Sequence, residues 1–269
     1  PLLERVCTGL AADVAPSGGV GRGGQQYLFD TAIALSALLA WRGIGGRLPD
    51  PALPHRLFAF IQRLVAERRA VDPRQGGDSD RWSLRFGAHL LKVALAINAY
   101  HDHFGVPECR TLVNALTDDL LPLERDGRFV TFAGSRETYT HASCYALEGL
   151  LDITRRGLGD HREVIDRGAD WLVECQGTSG GLHAWHDGER FQGPIHSDAT
   201  AQAVRIWLLA DPARFRAPVS RALAFLADQQ APAGGIYYRD GSGDVNTWAT
   251  IFAVQAVQWS AGGDRGALV

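Results

Sequence analysis

Methionine is absent from the 269 residues, and Lys92 is the only lysine. Arginine carries nearly all of the positive charge, a bias of composition rather than of chemistry. Cysteine is scarce: Cys7, Cys109, Cys144 and Cys175 form no C-x-x-C pair. A chain of this size needs no covalent staples, so reduced thiols are expected. No apolar run reaches the roughly 18 residues of a membrane span. No signal-peptide pattern is visible either, and the expected compartment is the cytoplasm. Charge of one sign is also missing. The 27 basic and 30 acidic residues leave a formal net charge of −3, which excludes a strongly basic nucleic-acid or anionic-membrane surface.

What is present is the composition of a globular chain, 46% hydrophobic and 21% charged, far from that of disorder. It also carries a repeat. Residues 169–208 and 222–257 share one plan: an amphipathic helix, a glutamine, a glycine pair, an aromatic residue, a polar turn and a small-residue helix. The glycine pairs Gly180–Gly181 and Gly234–Gly235 stand 54 residues apart. Upstream, Gly18–Gly19, Gly76–Gly77 and Asp126–Gly127 precede similar helices. Anchors at Asp30, Arg85, His141, Asp198 and Trp248 are separated by 55, 56, 57 and 50 residues. Five helical hairpins therefore cover the chain.

The two helices of a hairpin differ. First helices, such as 55–69 and 162–176, set charge beside an apolar stripe and read as a solvated outer layer. Second helices, such as 30–41 and 246–257, are rich in Ala, Ser, Thr and Leu and read as buried. Such hairpins cannot bury their faces alone and must stack. The expected fold is all-α: a single α/α toroid (barrel) of about five to six hairpins over residues 1–269. The glycine pairs fit turns that need positive φ. The run 18-GGVGRGG-24 is not a phosphate loop, because no G-K-[ST] follows it.

Polar residues gather in the first turns of the second helices. They include Gln25, Gln26 and Asp30; Asp78, Asp80, Arg85 and His89; Glu137, His141, Tyr145 and Glu148; His196, Asp198 and Gln202; and Asn246, Thr247 and Trp248. Some of these fit helix caps, namely Ser197, Thr247 and either Asp198 or Asp30. Histidines and an arginine on apolar helices are costly unless they face a wet cavity or are paired. The expected acid–base groups are His141, Asp198 and Asp30. The expected substrate contacts are Arg85, His89, Tyr145, Glu148, Trp185, His196, Gln202, Tyr238 and Trp248, the aromatic members offering flat faces. Arg85 and Lys92 suit a carboxylate or phosphate on the substrate. His141 and Cys144, one helical turn apart, suggest a zinc site with His196 or Asp198, but a buried thiol explains Cys144 more simply. No metal or cofactor is expected.

Two resemblances follow from these residues. RALAFLADQQAPAGGIYY (221–238) resembles the Gly-Gly repeat of squalene/hopene cyclases and protein prenyltransferase β-subunits, and YTHASCYALEGLL (139–151) is loosely similar to the zinc-site helix of the latter. DSDR at 78–81 stands where the cyclases carry D-x-D-D, and the Asp-x-Cys ligand pair is missing. QQYLFDTAIALSALLAW (25–41) and HSDATAQAVRIW (196–207) look like helices of the carbohydrate-active α/α toroids, which include six-hairpin glycosidases and sugar epimerases. As a whole the chain also resembles proteins of this fold encoded in bacterial exopolysaccharide clusters. The resemblance implies a hydrolase- or epimerase-like enzyme acting on a sugar, acidic sugars included, at the cavity mouth during polysaccharide metabolism. The partner it implies is a small-molecule or oligosaccharide substrate. The alternatives are a terpenoid cyclase or prenyltransferase-like enzyme and a non-catalytic sugar-binding protein.

Overall fold

The computed structural model describes residues 2–48, 50–72, 81–265 and 268. Gly76–Gly77, Asp78 and Asp80 lie outside the described residues. The chain forms two compact units, 1–122 and 123–269.

In the first unit, helix α1 (Leu2–Ala12) leads to a hairpin of β1 (Val20–Arg22) and β2 (Gln25–Tyr27). Then come α2 (Leu28–Gly43), α3 (Leu53–Ala66), 3₁₀ turns at Trp82–Leu84 and Ala88–Lys92, α4 (Val93–Phe104) and α5 (Glu108–Leu120). The 18–24 glycine run is the β1–β2 hairpin, with Gly23 and Gly24 at positive φ in its turn. In the second unit the order is β3 (Glu124–Arg125), β4 (Arg128–Phe129), β5 (Thr138–Tyr139), α6 (Thr140–Arg155), α7 (Arg162–Glu174), β6 (Leu182–His186), β7 (Phe191–His196), α8 (Ser197–Ala210), α9 (Arg216–Asp228) and α10 (Thr247–Ser260). Strands β5, β6 and β7 form one antiparallel sheet. Ten α-helices are thus found among the described residues, none long and apolar enough to cross a membrane.

Second helices pack on one another, α2 on α4 and α6 on α8 on α10, with first helices flanking them. Every residue from 140 to 151 and from 197 to 208 is buried. The small side chains of α6 and α8 allow that close approach. Helix α10 departs from the expectation of burial: Trp248, Ile251, Val254 and Val257 are exposed.

A repeated lock joins each glycine turn to its second helix. The first glycine sits at φ +88, +86, +91 and +95 in Gly18, Gly127, Gly180 and Gly234. Two residues later, an N–H donates to a hydroxyl on the fourth residue of the helix. The pairs are Val20 to Thr31 (2.9 Å), Phe129 to Ser143 (3.2 Å), Leu182 to Thr200 (2.9 Å) and Ile236 to Thr250 (3.0 Å). Thr31, Thr200 and Thr250 in turn donate to the carbonyl of the residue preceding the helix. One hydroxyl thus satisfies a loop donor and a helix-end acceptor together.

The capping expectations need correction. The residues preceding α2, α6 and α8 are Tyr27, Tyr139 and His196, all extended and without side-chain caps. Ser197, Thr247, Asp198 and Asp30 lie inside the first turns. Asn246 is the side-chain cap, accepting from the Ala249 N–H at 2.9 Å. The anchor register also shifts. Gly87 is fully extended, so regular structure restarts only at Ala88. His89, not Arg85, is the second residue of that element, and Asp30 is the third residue of α2.

Candidate functional site

The sheet of the second unit delivers the chain into α6 and α8. Tyr139 ends β5 and His196 ends β7, so both side chains stand where strand becomes helix. His141 and Asp198 are the second residues of the two neighbouring helices. His141 Nδ1 lies 3.3 Å from Asp198 Oδ2, and His196 Nδ1 lies 3.7 Å from Asp198 Oδ1. The Tyr139 hydroxyl is 3.4 Å from His196 Nδ1 and 3.2 Å from the Tyr238 hydroxyl. Asp198, His141, His196 and Tyr139 are all buried, at 3%, 8%, 7% and 5% exposure, so their interactions are little screened by water.

The environment sets protonation. Burial lowers the pKa of His196, an effect that Asp198 opposes. Burial raises Tyr139 and Tyr238, and the Asp198 carboxylate pushes both further up. Tyr145 is likewise raised by burial and by Glu148. Near pH 7 the phenols therefore keep their protons and act as hydrogen-bond donors, and His196 favours the neutral imidazole.

One and two turns further along each helix, the same faces carry a second layer. Tyr145 packs on His141 with ring centroids 4.3 Å apart. Glu148 on α6 is ion-paired with Arg205 on α8, both fully buried. Gln202 Nε2 donates to Glu148 at 3.5 Å, and Arg205 donates to Gln255 Oε1 on α10 at 2.7 Å. The Arg205 guanidinium lies 4.2 Å over the Phe252 ring. A buried ion pair needs such added bonds to offset desolvation.

The remaining sequence candidates are placed as follows by their own elements. Trp185, on β6, stacks on Tyr139 with centroids 4.6 Å apart. Trp248 is 38% exposed and leans on Phe252. Asp30, Arg85 and His89 belong to the first unit. Asp30 keeps surface exposure, but atoms crowding its carboxyl raise its pKa, with Arg22 opposing. His89 is buried between Phe29 and Trp82. Cys144 is fully buried with its thiol 4.0 Å from the Ala199 carbonyl. Among the described residues no three of His, Cys, Asp and Glu converge in a way that could hold a metal ion.

Two central residues escaped the sequence reading. Tyr139 directly precedes a second helix, the place that His196 occupies in the next hairpin, and that alignment would have marked it. Arg205 is a charge on an otherwise apolar helix, seven residues after Asp198 and so on the same face.

No known family profile matches the chain, and no curated protein matches it by sequence. Solved structures do match. A D-mannose isomerase aligns over 97% of this chain and 82% of its own, at 14% identity and a TM-score of 0.64. An unsaturated glucuronyl hydrolase from Bacillus sp. GL1 aligns over 90% and 78%, at 17% identity and a TM-score of 0.62. A type II terpene cyclase from Scytonema aligns over 98% and 75%, at 14% identity and a TM-score of 0.58. At these identities the likeness concerns the fold: the chain has the α/α-toroid fold.

Proposed function

We propose that the chain is a carbohydrate-active enzyme that moves protons at a centre made by His141, Asp198 and His196. The observation that carries this reading is one buried carboxylate flanked by two imidazoles and faced by phenols that stay protonated. The structures of D-mannose isomerase and the glucuronyl hydrolase support a sugar as substrate by analogy of fold alone.

The chemistry follows from the groups. With Nδ1 3.3 Å from the Asp198 carboxylate, His141 uses Nε2 as its base, and the carboxylate stabilises the imidazolium that forms. His141 takes a proton from a carbon beside a sugar carbonyl, and the C–H electron pair moves into an enolate. The Tyr139–Tyr238 pair supplies donors for the developing oxygen charge. A proton delivered by a second acid on the opposite face gives epimerisation; return by His141 to the neighbouring carbon, with the hydroxyl proton passing from one enediol oxygen to the other, gives isomerisation. Glycoside hydrolysis fits less well because it uses two working carboxylates. The other carboxylate on this wall, Glu148, is held by Arg205 and Gln202. A terpenoid cyclase reading fits less well still, because this wall is polar. Prenyl diphosphates should neither react nor raise the melting temperature.

The test is turnover and solvent-deuterium incorporation, followed by NMR, across a panel of free sugars and oligosaccharides. Asp198→Asn and His141→Asn should each lower the rate by about 10²–10⁴-fold. A panel in which no sugar exchanges, or an Asp198→Asn protein that keeps its rate, would overturn the reading.

A further inference from the structure

The second unit has a cavity of about 220 Å³ beside, not within, the His141–Asp198 centre. Glu137, Trp185, His186, Asp187, Gln192 and Gly193 line it. The sheet register explains its position. Tyr139 pairs with Trp185 across β5 and β6, and Trp185 pairs with Gln192 across β6 and β7. Cross-strand partners share a face, so Tyr139, Trp185 and Gln192 form one row leading away from the centre. The row spans two strand spacings, about 10 Å, more than a single sugar ring needs.

Each part of the row is held. Tyr139 stacks on Trp185 and fixes its plane. Ladder slippage between His183 and Trp185 marks a bulge, a device that re-aims a side chain. Gly193 sits at φ +77, where a Cβ would press within 3.2 Å of the Trp185 ring. Asp187 accepts from the Glu189 and Arg190 N–H groups and from Gln192 Nε2, leaving the Gln192 carbonyl oxygen for another partner. Those bonds hold the Asp187 pKa down at about 2, so it stays anionic. Burial and nearby Arg128 lower the pKa of His186 and favour its neutral form. The lining therefore offers an aromatic ring, an imidazole, carboxylates and an amide, and neither lysine nor arginine.

We infer that this cavity is a second sugar-ring subsite: it takes a neutral pyranose attached to the unit at the His141–Asp198 centre, with Trp185 as platform and Gln192 and Glu137 as hydrogen-bonding edges. The inference rests on the carbohydrate reading above and makes the substrate an oligosaccharide. A uronate at this subsite would meet Glu137 and Asp187 and be repelled.

The experiment is calorimetric binding of glucose and mannose, their di- and trisaccharides, and glucuronate-containing disaccharides to the wild-type protein, Trp185→Ala and Trp185→Phe. Wild type should bind at least one neutral disaccharide about tenfold or more tighter than its monosaccharide, and tighter than the uronate counterpart. Trp185→Ala should lose most of that ratio, and Trp185→Phe should restore much of it. Sugar binding with no preference for length, or a preference that survives in Trp185→Ala, overturns the subsite and leaves the centre standing. No binding by any sugar overturns the carbohydrate reading and the subsite with it.

Discussion

The fourth and fifth hairpins share one turn and differ in what the turn meets. In both, a glutamine N–H reaches the carbonyl of the first glycine: Gln176 to Gly180 at 2.8 Å and Gln230 to Gly234 at 3.5 Å. In both, a threonine locks the loop to the second helix. A Cβ at Gly180, however, would lie 2.4 Å from the Arg221 carbonyl on α9, the first helix of the next hairpin. Gly18 meets Arg56 at 2.3 Å and Gly127 meets Arg167 at 2.5 Å in the same way. At Gly234 no described atom lies within 4 Å of that point. Gln176 also donates to Pro218 at 3.0 Å on α9. The glycine is thus needed twice in most repeats, for its φ and for close approach of the next helix. In the fifth it is needed for φ alone. The second helices differ too: α8 is buried from Ser197 to Leu208, whereas α10 exposes an apolar face.

The largest effect should come from the bond that ties the two hairpins together. Arg205→Met removes the contact with Gln255 and leaves Glu148 buried without its cation, a loss of about 3–5 kcal/mol by chemical denaturation. Adding Glu148→Leu should restore most of it. A double variant as unstable as the single one would show that packing, not charge, makes this joint. Next, Gly180→Ala should cost about 3 kcal/mol or more, from positive φ plus the carbonyl clash, and Gly234→Ala only about 1 kcal/mol. Equal losses would erase the distinction between the hairpins. Smaller again, Thr200→Val should cost about 2 kcal/mol and Thr250→Val about 1, because only Thr200 is fully buried. Thermal or urea unfolding reads both.

The residues preceding the two helices differ in kind. Asn246 caps α10 and does not titrate. His196, preceding α8, has a pKa lowered by burial. A lowered histidine pKa means the unfolded chain binds the proton more tightly. His196 therefore contributes stability that is present above its unfolded value, near pH 6.5, and lost as pH falls toward the folded one. Unfolding free energies at pH 7.5 and 5.5 should show the decline, and His196→Gln should flatten it. A slope unchanged in His196→Gln would assign the decline to other groups.

The hairpins were readable because glycine pairs and helix composition recur at a near-constant spacing, and both reflect local geometry. His141 and Asp198 were readable as costly polar residues at the start of apolar helices. Arg85 stands ahead of its element because a spacing of 56 residues is blind to the extended Gly87, which delays the element to Ala88. Trp248 was placed at a rim by spacing, yet its exposure depends on a neighbour that its position in the repeat does not specify. Tyr139 was overlooked because it lies in a strand of two residues, too short to carry a periodicity. Arg205 was overlooked because its partners Glu148 and Gln255 are 57 and 50 residues away. Only the packed helices bring them together.

The Glu148–Arg205 pair also bears on warmth. Separated ions in water are held by ordered hydration, and that hydration becomes less favourable as temperature rises. The cost of drying this pair therefore falls on heating, while apolar burial gains little more per unit area. The joint between α6, α8 and α10 should hold relatively better near the melting point than at room temperature, so thermal unfolding should begin elsewhere in the second unit.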